Sequence, residues 1–233
     1  MQYYPLFLNL KGRPVVVIGG GAVAERKIAT LLKAGAAVTM IGPTLTPRLA
    51  RWEAAGRIIV FRRPYRRGDL KGALLAFTAT NESRVNEAVA REARQKRIPF
   101  NQADRAASDG FIVPAVFSKG GMTIAVSSGG KSPALAKQIR DYLKERWRAE
   151  DRRWVEIHSQ IKRALVEKKL PLEKRRALLN RLAESELPAL YRRGQIQAAH
   201  RLLLKLSGLR PADLAPPSNG LENGAAPRQK GIR

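Results

Sequence analysis

A chain of 233 residues can hold one large or two small cored domains, and the absence of cysteine excludes disulfides, thiolate metal sites and cysteine nucleophiles. Its 44 Lys and Arg against 19 Asp and Glu leave a net charge of +25, which calls for an anionic macromolecule, an anionic small substrate or simply arginine-rich solvated helix faces. No stretch reaches the ~18 consecutive apolar residues of a membrane span, and MQYYPLFLNLKGR lacks the basic start of a signal peptide, so a soluble, cytoplasmic protein is expected.

Residues 1–13 read as a lead-in whose Leu6, Phe7 and Leu10 cover a sheet edge. Pro14 to Ile18 is a nearly pure β-branched run, the pattern of a parallel strand buried on both faces. It meets Gly19, Gly20 and Gly21 directly. An amphipathic run follows, with Ala24, Ile28, Leu31 and Leu32 on one face and Gly35 as its stop. The spacing Gly19-x-Gly21-x-x-Ala24 is the dinucleotide-binding fingerprint. Gly19 permits the tight turn, Gly21 admits a pyrophosphate to the backbone, and Ala24 keeps helix and strand close. Gly20, Ala22 and Val23 complete the turn, where free N–H groups and the positive helix end face the phosphates.

A second strand, AAVTMIG, leads into Pro43 and Thr44. It carries no acidic residue for the ribose hydroxyls, so Met40, Ile41, Pro43 and Thr44 are expected to line the adenosine side by backbone and packing. These residues alone do not decide NAD over NADP. The pattern then predicts a short helix over 46–55, a strand over 57–61, a basic loop RRPYRRG, and an apolar strand over 73–79. Thr80 and Asn81 can cap a helix over 82–96, and a fifth strand begins at 99–101. Strands alternating with helices at this spacing predict an α/β fold, a Rossmann-like doubly wound parallel sheet, with ligands beyond the carboxyl ends of the strands. Those ends carry Gly19 to Gly21, Gly42 to Thr44, Thr78 to Asn81 with Thr80 among them, and Asn101 to Asp104.

Near Gly110 the pattern changes. Residues 111–117 and 122–126 read as two strands of a ribbon turning at Gly120 and Gly121. Then Ser127, Ser128, Gly129, Gly130, Lys131 and Ser132 lead into a helix over 134–147, with Ser132 as N-cap and Pro133 at the first helical position. That segment reads either as a carboxylate-holding turn or as an interdomain turn. A two-strand ribbon with one helix is too small to stand alone and needs the first domain or a second subunit. Residues 150–209 are helical in pattern, His158 and His200 read as surface or packing residues, and the end of the chain has the composition of a disordered tail.

Three features in this order — the glycine turn followed by Ala24-Glu25-Arg26-Lys27, the segment Asn101-Gln102-Ala103-Asp104, and Ser127-Ser128-Gly129-Gly130-x-Ser132-Pro133 — resemble the siroheme synthase N-terminal module family. Tyr4-Pro5-Leu6-Phe7 and Phe111-Ile112-Val113-Pro114 are similar to the family as well, so the resemblance covers residues 1 to about 148. It implies NAD-dependent oxidation of precorrin-2, an anionic tetrapyrrole, to sirohydrochlorin, with Fe²⁺ insertion as a further activity of some members. It also implies a homodimer joined through the ribbon and its helix. Asp104 matches the family's catalytic aspartate; its position alone reads as a general base or a turn-capping aspartate. Asn101 either orients that loop or satisfies strand-end groups. Substrate contacts are expected at Asn101 and at Ser127 to Ser132. The expected organisation is an NAD-binding Rossmann domain at 1–112, a dimerisation and substrate-binding region at 113–148, a helical C-terminal domain at 149–210 and a tail at 211–233. Two rivals remain: an NAD-sensing module without catalysis, and nucleic-acid binding through the basic helices.

Overall fold

A computed structural model describes residues 2–102 and 110–214. The strand β1 (Pro14–Ile18) lies at the middle of a five-stranded parallel sheet with β2 (Ala37–Ile41), β3 (Ile59–Phe61), β4 (Leu75–Thr78) and β5 (Phe100–Gln102), in the order β3-β2-β1-β4-β5. The helices α1 (Ala22–Lys33), α2 (Pro47–Ala54) and α3 (Ser83–Gln95) supply the crossovers.

Alternation along the strands sorts the core into two faces. Val15, Val17, Val38, Met40, Leu75 and Phe77 pack with Ala24, Ile28 and Leu31 of α1. Val16, Ile18, Ile41, Ala76 and Phe100 pack with Val89, Ala90 and Ala93 of α3. Each fully buried side chain of this kind contributes roughly 1.5–3 kcal/mol, which is why β1, flanked on both faces, carries no polar residue. Helix α1 stops as expected at Gly35, whose φ is +75°. The Gly35 N–H reaches Leu32 O and the Ala36 N–H reaches Leu31 O, both at 3.1 Å, a Schellman closure. Thr46 caps α2, its hydroxyl accepting the Leu49 N–H at 3.2 Å.

Several sequence expectations shift. Leu10 is buried, but Leu6 and Phe7 are exposed, so the lead-in covers the core only through Leu10. Strand β3 begins at Ile59 because the Arg57 N–H closes a turn onto Trp52 O at 2.8 Å. Residues 111–114 are not strand: the Phe111 N–H points to Phe100 O at 3.4 Å, tying this stretch to β5. Thr80 does not cap α3. Its hydroxyl accepts the N–H of Glu82, the residue at the cap position, at 2.9 Å.

The chain forms two compact units, Met1–Pro114 with Ser127–Pro133, and Ala115–Val126 with Ala134–Arg233. In the second, β6 (Ala115–Lys119) and β7 (Met122–Val126) pair antiparallel through a two-residue turn with φ of +59° and +78° at Gly120 and Gly121. A side chain on Gly120 would strike Arg152, so the ribbon tip rests on helix α5 (Ala149–Glu167). The ribbon therefore has a partner within its own chain that its sequence did not announce. The remaining helices are α4 (Pro133–Arg146), α6 (Leu172–Glu184), α7 (Leu187–Arg192) and α8 (Ile196–Ser207). Ile161, Leu165, Leu182, Leu187, Tyr191 and Leu203 form the core of the helical unit. His158 and His200 pack on aromatic rings, with Trp154 at 5.4 Å and Tyr191 at 6.5 Å. The fold continues past residue 210: Pro211–Asp213 is a 3₁₀ turn, Asp213 accepts the Arg210 N–H at 2.6 Å, and Leu214 packs on the helical core. Most of the tail lies outside the described residues.

Candidate dinucleotide site

The three glycines after β1 are held for different reasons. Gly19 has φ +110°, and a Cβ there would collide with the Ala79 carbonyl. Gly20 is tighter: a Cβ would overlap the Thr44 carbonyl oxygen and press on Met40. Gly21, the residue capping α1, has an ordinary φ of −82°, and a Cβ there would meet nothing within 4 Å among the described residues. The protein's own packing does not demand glycine at 21, whereas a ligand approaching the helix N-terminus does. Among the described residues no side chain caps α1 either. Gly21, Ala22 and Val23 are exposed, while Ala24 is buried against β1 and serves packing. The residues present fit a dinucleotide whose pyrophosphate rests on this turn.

The carboxyl ends of β1, β2 and β4 converge here. Thr44 and Ala79 wall in the glycine turn, and Thr80 adjoins Gly19. Asn86, 1% exposed, donates to Thr80 O at 3.1 Å and so fixes the chain after β4. Among the described residues, Asn86 Oδ1 and the Thr78 hydroxyl, both buried, have no hydrogen-bond partner. On the β2 side, Pro43 and Thr44 are exposed as a lining requires. Met40 and Ile41 are fully buried and line nothing; Met40 instead supports Gly20 from beneath. The acidic group missing from β2 has a neighbour that the sequence reading passed over. Glu25, on α1, accepts the Thr46 hydroxyl at 2.6 Å and Arg48 Nη1 at 3.4 Å.

Asn101 at the end of β5 is 7% exposed, and both of its polar atoms are engaged. Its Nδ2 donates to Phe111 O at 2.9 Å, and its Oδ1 accepts from Lys27 Nζ at 2.6 Å. Asn101 thus ties strand-end groups rather than turning outward. Lys27 was missed by sequence reading, although it falls on the inward stripe of α1, three residues after Ala24 and four before Leu31. Burial, with Arg26 beside it, holds its ammonium below the usual lysine range. Asp104 lies outside the described residues.

The segment from Ser127 to Ser132 closes on itself. The Ser127 hydroxyl accepts the Gly129 N–H at 3.1 Å and the Ser128 hydroxyl accepts the Ser132 N–H at 2.8 Å. Gly129 and Gly130 take φ of +65° and +85°, a conformation that disfavours side chains. Both hydroxyls act as acceptors here, which leaves their O–H groups available to donate to a carboxylate. Lys131 is exposed beside them. The basic loop has a different fate. Arg63 forms a two-point pair with Asp69 at 2.7 and 2.8 Å, Arg62 meets Glu53 at 2.6 Å, and Arg67 reaches Gln95 at 3.2 Å. Buried Glu92 accepts from the Tyr65 hydroxyl and from the Gly68 N–H. Glu92 and Gln95 hold the loop to α3, Glu53 holds it to α2, and three of its four arginines are thereby engaged within the protein.

Comparison with known proteins follows this geometry. An NAD(P)-binding family model matches residues 6–115, and the sirohaem biosynthesis protein central model matches residues 119–146. A siroheme synthase of Methylobacillus flagellatus is 43% identical over 140 residues, 60% of this chain and 30% of that protein. Those of Stutzerimonas stutzeri and Azotobacter vinelandii are 32% and 35% identical over 92% of this chain, each match spanning 46% of the relative. The chain thus spans less than half the length of these curated relatives. Among solved structures, SirC, a precorrin-2 dehydrogenase, superposes with a TM-score of 0.70 at 29% identity, covering 85% of this chain and 100% of that one. With both family models matched in sequence and the parallel sheet, open glycine turn and ribbon in place, the chain is similar in sequence and in fold to the siroheme synthase N-terminal module family.

Proposed function

We propose that this chain is a cytoplasmic, NAD-dependent precorrin-2 dehydrogenase that forms sirohydrochlorin. The observation that carries the reading is the likeness to a solved precorrin-2 dehydrogenase along all of that protein's length. Gly21 supports it, being small where only a ligand requires smallness. NAD supplies the hydride acceptor. The oxidation removes one hydride and one proton from the macrocycle, and Asp104, just beyond β5, is assigned as the group that takes or steers the proton. The hydroxyls of Ser127 and Ser128 and the ammonium of Lys131 are assigned to substrate carboxylates, since charge-assisted hydrogen bonds are the strong ones. The net charge of +25 suits a substrate bearing several carboxylates.

The chain is also proposed to act as a homodimer. Helix α4 exposes Leu135, Ile139 and Tyr142 at 49%, 42% and 52%, an apolar stripe at helical spacing that a second copy would cover. Among the described residues no helix is long and apolar enough to cross a membrane. The deciding experiment mixes purified protein with precorrin-2 and NAD and follows NADH and sirohydrochlorin together. Stoichiometric formation of both is expected. NAD binding without turnover would leave a nucleotide sensor instead, and a parallel arm with Fe²⁺ as substrate reads whether siroheme also forms. Sedimentation of the same sample reads the dimer.

A further inference from the structure

A chain of net charge +25 attracts the more highly charged of two related anions. By that measure alone NADP, with one phosphate more than NAD, would bind the more tightly. A preference for NAD therefore needs a local group that opposes the added phosphate. In dinucleotide folds that group is an acid near the end of the second strand, which takes the ribose hydroxyls. Strand β2 ends in Met40 and Ile41 and continues through Gly42, Pro43 and Thr44, with no acid among them. A carboxylate reaches this turn from another element.

Glu25 stands in the first turn of α1, directly after Ala24. The chain leaving β2 folds back over the glycines: the Thr46 N–H donates to Gly20 O at 3.2 Å, and the Thr44 carbonyl abuts Gly20. That return brings the Thr46 hydroxyl to Glu25 Oε2, to which it donates at 2.6 Å, while the same hydroxyl oxygen accepts the Leu49 N–H at 3.2 Å. The carboxylate is thus tied in place, and its side chain is only 24% exposed. Arg48 approaches from the other side, with Nη1 at 3.4 Å from Glu25 Oε1, its guanidinium 4.8 Å from the centre of the Trp52 ring and 54% of its side chain exposed. An exposed pair of that length holds its partners weakly. The fixed charge at this turn is therefore the negative one, and the cation is the loose one.

We propose that Glu25 is the residue that selects NAD over NADP. It stands in for the acid that β2 lacks, and its carboxylate opposes a phosphate on the adenosine ribose. Thr46 orients that carboxylate, and Arg48 offsets part of its charge. The inference rests on the dinucleotide reading of the glycine turn and deepens it.

The test is calorimetric titration of the full chain with NAD and with NADP separately, with no tetrapyrrole present. Wild type should bind NAD at least about 10-fold more tightly, the scale of one opposed unit charge at a partly exposed position. Glu25→Gln keeps an acceptor for the Thr46 hydroxyl, so NAD should stay within about two-fold while NADP tightens by about 10-fold. Arg48→Gln should widen the preference for NAD. Glu87→Gln, which removes an exposed negative charge from α3, should leave it unchanged. Melting of the unliganded variants checks their fold. Should Glu25→Gln fail to fold, Glu25→Ala, which favours the helix, is read in its place.

An unchanged ratio of the two affinities in the Glu25 variant would overturn the proposal while leaving the glycine turn a dinucleotide site. A parallel fall in both affinities would also overturn it, since Glu25 would then only hold the turn in shape. Tighter binding of NADP by wild type would overturn it in favour of Arg48 as a phosphate anchor. Binding of neither dinucleotide would remove both the selection and the site on which it rests.

Discussion

The glycine turn at 19–21 and the basic loop at 62–69 both look like anion sites in the sequence, and the structure treats them in opposite ways. The basic loop uses its cations internally: Arg63 on Asp69, Arg62 on Glu53, Arg67 on Gln95. The glycine turn has no charged side chain at all, yet it keeps an uncapped helix end and open space over Gly21. Charge in a sequence therefore marks what a loop can pair with, while a glycine that packing does not require marks where something else must come close.

The largest effect should separate two adjacent glycines. Gly20→Ala forces a Cβ into the Thr44 carbonyl; because the obstacle is backbone, the cost should exceed the roughly 1–3 kcal/mol of ordinary overpacking. Circular dichroism should show loss or severe destabilisation of the fold. Gly21→Asp should fold, since φ is −82° and the space is clear. It should weaken NAD by at least about 100-fold, as opposed like charges cost several kcal/mol. Undiminished NAD affinity in this variant would end the assignment of the turn.

The basic loop gives smaller, structural effects. The hydrogen bond from Arg63 holds the Asp69 carboxyl below its usual range. A depressed folded pKa contributes stability above the unfolded value, near 3.9, and loses it as pH falls through the folded one. Thermal melts between pH 7 and 3 should show Asp69→Asn less stable at neutral pH with a flatter acid limb, and NAD binding untouched. A wild-type acid limb in the variant would show that the pair is idle. Smallest of all, Arg67→Gln should lie within about 0.5 kcal/mol of wild type and leave the apparent KM for precorrin-2 unchanged. A clear rise in KM would bring the loop into substrate binding.

Much of this was legible because one stretch obeys several local rules together. Val15 to Ile18, the glycines, the amphipathic α1 and the stop at Gly35 each predict the same βα unit, and the structure has it within a residue or two. What was not legible depended on distant partners. Met40 alternates like a lining residue, but its side chain is committed to supporting Gly20. Glu25 and Lys27 entered only as part of a motif, and their partners, Thr46 at the start of α2 and Asn101 on β5, come from distant stretches of the chain. Phe111 to Pro114 has strand composition, yet its backbone is claimed by β5 and Asn101. The ribbon looked unsupported because its contact with Arg152 spans a gap that no periodicity encodes.

The central position of β1 has a consequence for how the domain is made. Val15 pairs with Val38 on one side and with Leu75 on the other. As synthesis proceeds from the N-terminus, the first partner is ready long before the second. Until β4 has emerged, one edge of β1 presents an unpaired row of N–H and C=O groups on the most apolar strand of the chain, an invitation to pair with another copy. Closing the longer loop also carries the greater entropic cost, so β1–β4 pairing is the slower event. Yield of folded protein in the cell is thereby tied to how quickly residues 42–78 follow the first hairpin-free βαβ unit out of the ribosome. Strengthening β1–β2 would not shorten that wait.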